Sequence, residues 1–280
     1  MNYYLKQHPD VFIPERKELH FFGSDLDFKH DRSEATYKSQ FDPWSEEKVG
    51  GEASVFYLCS TTAAREIREF NAHAKLIVMV RNPADMLHSF RSQTVFVGHE
   101  HFTEFEDALN AEQGRRDGTI PIHALTPNRL CYYSEMARFT EQIQNYVDTF
   151  GREQIHIIVF DDLKNDASKV FKETLDFLDV DPDFNADLRP INSNRKFKNK
   201  KLHYLVNDPH PGFRDLIKKT IPSSLLRWTK GKLQKANTKR EPREKLKADV
   251  REKLNAMYEN EVHSLGKFLD RDLTHWLSEK

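Results

Sequence analysis

At 280 residues, with 38% hydrophobic and 31% charged side chains, the chain suits one large α/β domain or two small ones. Its 20 Phe argue against disorder, and no apolar run approaches membrane-spanning length. The net charge of −1 hides an asymmetry: residues 195–253 hold 19 Lys/Arg against 6 Asp/Glu, a local +13, leaving −12 for 1–194 and −2 for 254–280.

Cys59 and Cys131 lie far apart and form no CxxC or Cys/His cluster, which excludes a disulfide scaffold and a zinc site and fits a reducing compartment. The opening residues, MNYYLKQHPD, lack a signal-peptide core, so a cytoplasmic protein is expected. Residues 2–7 read as the tail of a helix ended by His8-Pro9. Asp10–Pro14 is extended, and Glu15–Gly23 (ERKELHFFG) is a charged loop closed by two Phe. A helix is expected near Glu34–Phe41. Gly50-Gly51-Glu52-Ala53-Ser54 forms a turn, and Ser60-Thr61-Thr62 offers caps for a helix over Ala63–Phe70.

Leu76–Val80 is a short, nearly unbroken apolar run, the pattern of a strand buried on both faces. Asn82-Pro83 ends it, and Pro83 opens a helix with Met86, Leu87 and Phe90 at helical spacing. Arg81 therefore sits at the carboxyl end of a core strand, with Ser89 about two turns along the next helix. Ligands gather at such strand ends in open parallel sheets, and a guanidinium there suits a phosphate. On these residues alone, a solvated strand exit is the plainer reading.

Phe102–Glu112 is helical by its apolar spacing, Gly114–Pro127 a mobile loop, and Leu130–Phe150 one long amphipathic helix stopped by Gly151. Ile155–Phe160 is a second buried strand, Asp161-Asp162-Leu163 its exit and Ala167–Leu178 the returning helix. That alternation implies parallel strands with right-handed crossovers. Residues 192–240 form a loose, basic, loop-rich segment, and 241–280 a charged helical close.

Taken together, the order of these pieces resembles the sulfotransferases that use 3′-phosphoadenosine 5′-phosphosulfate, above all bacterial members and the heparan-sulfate N-sulfotransferase type. The chain supplies Leu5…His8-Pro9, Lys17-Glu18…Phe21-Phe22 and Gly51-Glu52-Ala53-Ser54. It continues with Arg81-Asn82-Pro83…Ser89, Tyr133-Ser134-Glu135, Phe160-Asp161-Asp162-Leu163 and Tyr258…Glu261…Leu265…Leu273…Trp276. Any one is weak; seven in order over nearly the whole chain are strong. The resemblance implies a single α/β domain over 1–280, a P-loop-like three-layer sandwich with a central parallel sheet flanked by helices.

The family's sulfonate-cradling loop, G-x-x-K-x-G-T-(T/S), belongs just before the helix ending in His8-Pro9. The expectation is that this loop and its strand are absent from the chain as written, and that a longer protein explains this better than a crippled homologue. The resemblance further implies transfer of a sulfonate from 3′-phosphoadenosine 5′-phosphosulfate to a hydroxyl or amine by in-line displacement, with no metal. Glu18 takes the place of the general base, with His20 as runner-up, since cytosolic relatives use a His base. Arg81 and Ser89 match the positions that hold the donor's 3′-phosphate, and Tyr133 a position near the nucleotide. Arg195 and Lys196 fall where relatives place a basic loop over the donor. Each has a plainer reading: a surface charge for Glu18, a packed loop residue for His20, a core side chain for Tyr133, a solvated charge run for 195–196.

Small molecules and glycans are both open as acceptors, and the basic stretch 195–253 suits an anionic acceptor or a membrane surface. Nucleic acid is not expected, because that stretch interleaves few aromatics and carries no binding motif. The chief competing reading is a non-catalytic relative that keeps the fold and nucleotide binding. A nucleotide kinase and a basic binding module rank below it.

Overall fold

The structure, a computed structural model, describes residues 1–102, 104–123, 126–190, 195–199, 229, 232–233, 236–241 and 244–278. In chain order the elements begin with α1 (Asn2–Leu5), β1 (Val11–Phe12), α2 (Glu34–Lys38), β2 (Val49–Gly50) and α3 (Ala63–Phe70). Next come β3 (Leu76–Val80), α4 (Pro83–Val97), α5 (Phe105–Asn110), α6 (Glu112–Arg116), α7 (Tyr133–Met136) and α8 (Phe139–Phe150). The chain closes with β4 (Ile155–Val159), α9 (Phe160–Asn165), α10 (Ala167–Leu178), β5 (Arg195–Phe197), β6 (Thr238–Arg240) and α11 (Ala248–Phe268). It divides into two compact units, Met1–Met86 with Ala124–Pro190 and Arg251–Lys280, and Leu87–His123 with Ile191–Val250.

The first unit is α/β with parallel strands. β3 pairs with β4 over five residues, Leu76 opposite Ile155 through Val80 opposite Val159, and β1 pairs with β2 through Val11–Val49 and Phe12–Gly50. The strands thus form two parallel pairs among the described residues, where one central ladder was expected. Side chains join the pairs. Tyr4, Leu5 and Val11 share a buried cluster with Phe171, Leu175 and Leu178 of α10, and Val49 and Ile77 pack against it. Val80 and Ile155 are fully buried.

β3 and α4 follow the expectation from residue to residue. Asn82 Oδ1 accepts the N–H groups of Ala84 and Asp85 at 2.9 and 3.3 Å, so the residue that stops the strand also caps the helix, with Pro83 in its first turn. Ser60 does the same for α3, accepting from Thr62 and Ala63 N–H at 3.1 and 2.9 Å. Residues 130–150 differ from the single helix expected. A 3₁₀ turn, α7 and α8 replace it, with a break at Ala137-Arg138. The cause lies on α11: Tyr258 donates to the Tyr133 carbonyl, and Glu261 accepts the Thr140 N–H at 2.7 Å and its hydroxyl at 2.7 Å. Glu261 thereby caps α8, which a continuous helix would forbid. Asp161–Leu163, expected as a strand exit, lies inside α9, anchored by Arg271 on Asp162 and Trp276 Nε1 on Asp161.

In the second unit Glu100 and Arg115 form a buried ion pair, with Arg115 Nη2 at 2.7 and 2.8 Å from the two carboxylate oxygens. β5 and β6 pair antiparallel. Part of the loop expected at Gly114–Pro127 is helical, since α6 runs to Arg116, and 124–125 lie outside the described residues, as does most of 192–240.

Candidate active site

The loop carrying Glu18 and His20 has no regular secondary structure, so its backbone polar groups need partners from elsewhere. Glu18 N–H donates to the Ala53 carbonyl at 3.1 Å, His20 N–H to Ser54 Oγ at 3.1 Å, and Phe21 and Phe22 N–H to the Tyr57 hydroxyl at 2.9 and 3.3 Å. On the carbonyl side, His30 Nε2 lies 2.9 Å from the Leu19 oxygen and Arg32 donates to that of Phe21. These contacts hold Glu18 and His20 in left-handed backbone, φ 59° and 49°, where non-glycine residues sit rarely and at a cost.

Glu18 points back at its supporting turn. Its Oε2 accepts the Val55 N–H at 3.0 Å and lies 3.6 Å from His20 Nε2, while Lys17 Nζ is 3.7 Å from Oε1. The side chain remains 30% exposed. Burial pushes its pKa up, against the Val55 hydrogen bond and Lys17. His20 is buried and stacked on Phe28, ring centroids 3.9 Å apart. Burial, helped by His30, Arg16 and Arg32, lowers its pKa to about 4, so the ring is neutral near neutral pH. Its Nδ1 has no hydrogen-bond partner among the described residues.

Glu52 lies behind this pair. It accepts from Ser54 Oγ at 2.7 Å and from the Tyr57 hydroxyl at 2.6 Å, and burial, with the Glu18 charge adding to it, raises its pKa. The turn around Glu52 was legible in the sequence, but not its link to the loop. Two hydroxyls at two and five residues beyond Glu52 were the available signal.

Arg81 sits at the carboxyl end of β3, with its guanidinium 4.9 Å from the Phe160 ring centroid and 3.6 Å from Asp85 Oδ2. Arg251 takes the other Asp85 oxygen at 2.7 Å. Burial alone would raise the Asp85 pKa, but Arg251 and Arg81 outweigh it and hold the carboxylate low. Arg81 is 32% exposed, a cation held in place with a face open to solvent. Such a group fits a phosphate. Ser89 is half-buried on the part of α4 that falls in the second unit. Tyr133 is 1% exposed, with its carbonyl engaged by Tyr258. Arg195 and Lys196 lie on β5, their side chains outside the described residues. No group of three or more His, Cys, Asp or Glu among the described residues is arranged to hold a metal.

The sulfotransferase domain family matches residues 64–266, well over half of the chain. The chain belongs to the sulfotransferase family. A crystal structure of a sulfotransferase from Alicyclobacillus acidocaldarius aligns over 99% of this sulfotransferase and 92% of its own chain, at 26% identity and a TM-score of 0.71. The membrane-associated sulfotransferase kil1 of Dictyostelium discoideum is 21% identical over 282 aligned positions, 73% of this chain; the chain spans 59% of that relative's length. A sulfotransferase domain from the curacin biosynthetic pathway aligns over 85% of this chain and 68% of its own, at 15% identity and a TM-score of 0.36. No helix among the described residues is long and apolar enough to cross a membrane.

Proposed function

We propose that this sulfotransferase moves a sulfonate group from 3′-phosphoadenosine 5′-phosphosulfate to a hydroxyl or amine acceptor, with Glu18 as the general base. The donor supplies an activated sulfonate whose bond to the 5′-phosphate breaks, the electron pair leaving with the phosphate. The acceptor oxygen or nitrogen forms the new bond to sulfur, and Glu18 takes the proton that atom gives up. The observation that carries this reading is the setting of Glu18: a carboxyl whose pKa burial raises, still 30% exposed, beside a neutral, less accessible imidazole. A base poised in this way combines reach with proton affinity. His20, stacked on Phe28 and packed against Phe56, serves better to orient Glu18 than to replace it.

Arg81 supports the 3′-phosphate side of the donor through its guanidinium fork, and the family resemblance assigns Ser89 to the donor as well. The same resemblance assigns Tyr133, Arg195 and Lys196 to the nucleotide side. The acceptor is a small molecule or glycan, and the basic stretch 195–253 suits an anionic acceptor or an anionic membrane surface. The membrane association named for the Dictyostelium relative favours testing lipid vesicles beside soluble acceptors.

The test is release of 3′-phosphoadenosine 5′-phosphate by the full chain with a panel of hydroxyl and amine acceptors, run beside Glu18→Gln. The expected result is turnover reduced about 10²- to 10⁴-fold in Glu18→Gln with donor binding retained. Turnover in Glu18→Gln close to wild type would remove Glu18 from the role.

A further inference from the structure

We propose that Glu52 is a positioning residue that fixes the Glu18–His20 loop through the hydroxyls of Ser54 and Tyr57. The inference rests on the reading of Glu18 as the base. Three consecutive backbone N–H groups, those of His20, Phe21 and Phe22, are satisfied by only two hydroxyl oxygens. A hydroxyl accepts at its oxygen while its single proton goes elsewhere, and here both protons go to one carboxylate. Ser54 donates to Glu52 Oε2 at 2.7 Å and Tyr57 to Oε1 at 2.6 Å.

An ionised carboxylate only accepts, so it sets the direction of both arms at once. The amide of a glutamine satisfies one arm only. Its NH₂ donates to the other hydroxyl, whose proton must turn away and whose oxygen is then shared between that NH₂ and the loop N–H. The loop needs such a device, because two of its residues, Glu18 and His20, stand in left-handed backbone that holds only where the surroundings over-determine it. Tyr57 is itself braced, its carbonyl accepting from the Tyr146 hydroxyl at 2.7 Å.

Glu18 also sets a like charge near Glu52, adding to the rise that burial gives the Glu52 pKa. The groups facing the two carboxylates are Lys17, His20 and the Val55 N–H at Glu18, and Ser54, Tyr57 and the Tyr37 ring at Glu52. Removing the Glu18 charge therefore eases ionisation of Glu52 and lowers its titration midpoint. A residue that merely filled space would leave that midpoint where it is.

The experiment is amide hydrogen exchange on the full chain in wild type, Glu52→Gln, Tyr57→Phe, Ser54→Ala and Ser54→Thr, with the ¹³C-carboxyl titration of Glu52 in wild type and Glu18→Gln. Exchange at Phe21 and Phe22 is expected to quicken at least about tenfold in Glu52→Gln and Tyr57→Phe, and at His20 in Ser54→Ala. Ser54→Thr restores His20, the amides of Val78–Val80 keep their protection throughout, and the Glu52 midpoint falls in Glu18→Gln. Loop exchange within about twofold of wild type in Glu52→Gln, or an unmoved Glu52 midpoint in Glu18→Gln, overturns the proposal. Should Glu52→Gln fail to fold, Ser54→Ala and Tyr57→Phe read the arms one at a time, and unchanged loop exchange in both overturns it equally. Turnover by Glu18→Gln judges the base reading separately: retained activity there removes the base, whereas unchanged loop exchange in Glu52→Gln removes only the clamp.

Discussion

Burying an imidazole with one ring nitrogen unpartnered decides which protonation state the fold tolerates. His20 is 8% exposed, and its folded pKa, about 4, lies below the ordinary 6.5. Between those values the unfolded chain binds the extra proton and the folded chain does not, so stability rises with pH from about 4 to about 6.5 and is flat above. Glu18 and Glu52, raised by burial, tilt the curve the opposite way, so comparison with His20→Gln isolates the ring. In urea unfolding, wild type should gain about 1–3 kcal/mol over His20→Gln between pH 4 and pH 7. Parallel curves would show that the ring protonates in place. The raised Glu18 predicts a second pH effect. Sulfonate transfer should rise with pH as Glu18 loses its proton, with a midpoint above the ordinary carboxylate range. A midpoint inside that range would count against Glu18.

Local pattern was enough for the elements whose limits depend on nearby residues. The strand at Leu76–Val80 and the helices at Ala63–Phe70 and Ala167–Leu178 formed as read, because apolar spacing, Asn82-Pro83 and Ser60 lie within or beside them. The break at Ala137-Arg138 was illegible, because Tyr258 and Glu261, which enforce it, are over a hundred residues away in sequence. The candidate site divides in the same way. Glu18, His20 and Arg81 were named from short motifs, whereas the linkage of Glu52 to three loop amides exists only once the turn and the loop are side by side. The α8 cap is testable by substitution. Glu261→Ala leaves the Thr140 N–H and hydroxyl without their acceptor and should cost about 1 kcal/mol in urea unfolding, up to about 2 kcal/mol, and Glu261→Gln, which still accepts, much less. Equal losses in the two variants would assign the effect to packing instead of capping.

For the whole chain, the proposed donor raises a question of charge: residues 1–194 carry a net −12, and the nucleotide is a polyanion. Distant charges matter little, since the Debye length is about 8 Å at physiological salt. What counts is a cation at the contact, and Arg81 is placed for it by the end of β3, the Phe160 ring and Asp85, with Arg251 drawing on the other Asp85 oxygen. Burying part of its surroundings strengthens that contact over a fully hydrated one. A ligand at about a hundred times its dissociation constant adds about 2.7 kcal/mol to the folded state. We therefore expect 3′-phosphoadenosine 5′-phosphate to raise the unfolding midpoint of the full chain, and Arg81→Ala to abolish the rise while folding cooperatively. If Arg81 carries the contact, the rise in wild type persists as salt is added. A rise that survives in Arg81→Ala but collapses with salt would move the phosphate to the +13 stretch of 195–253, where a screened, diffuse attraction would be holding it.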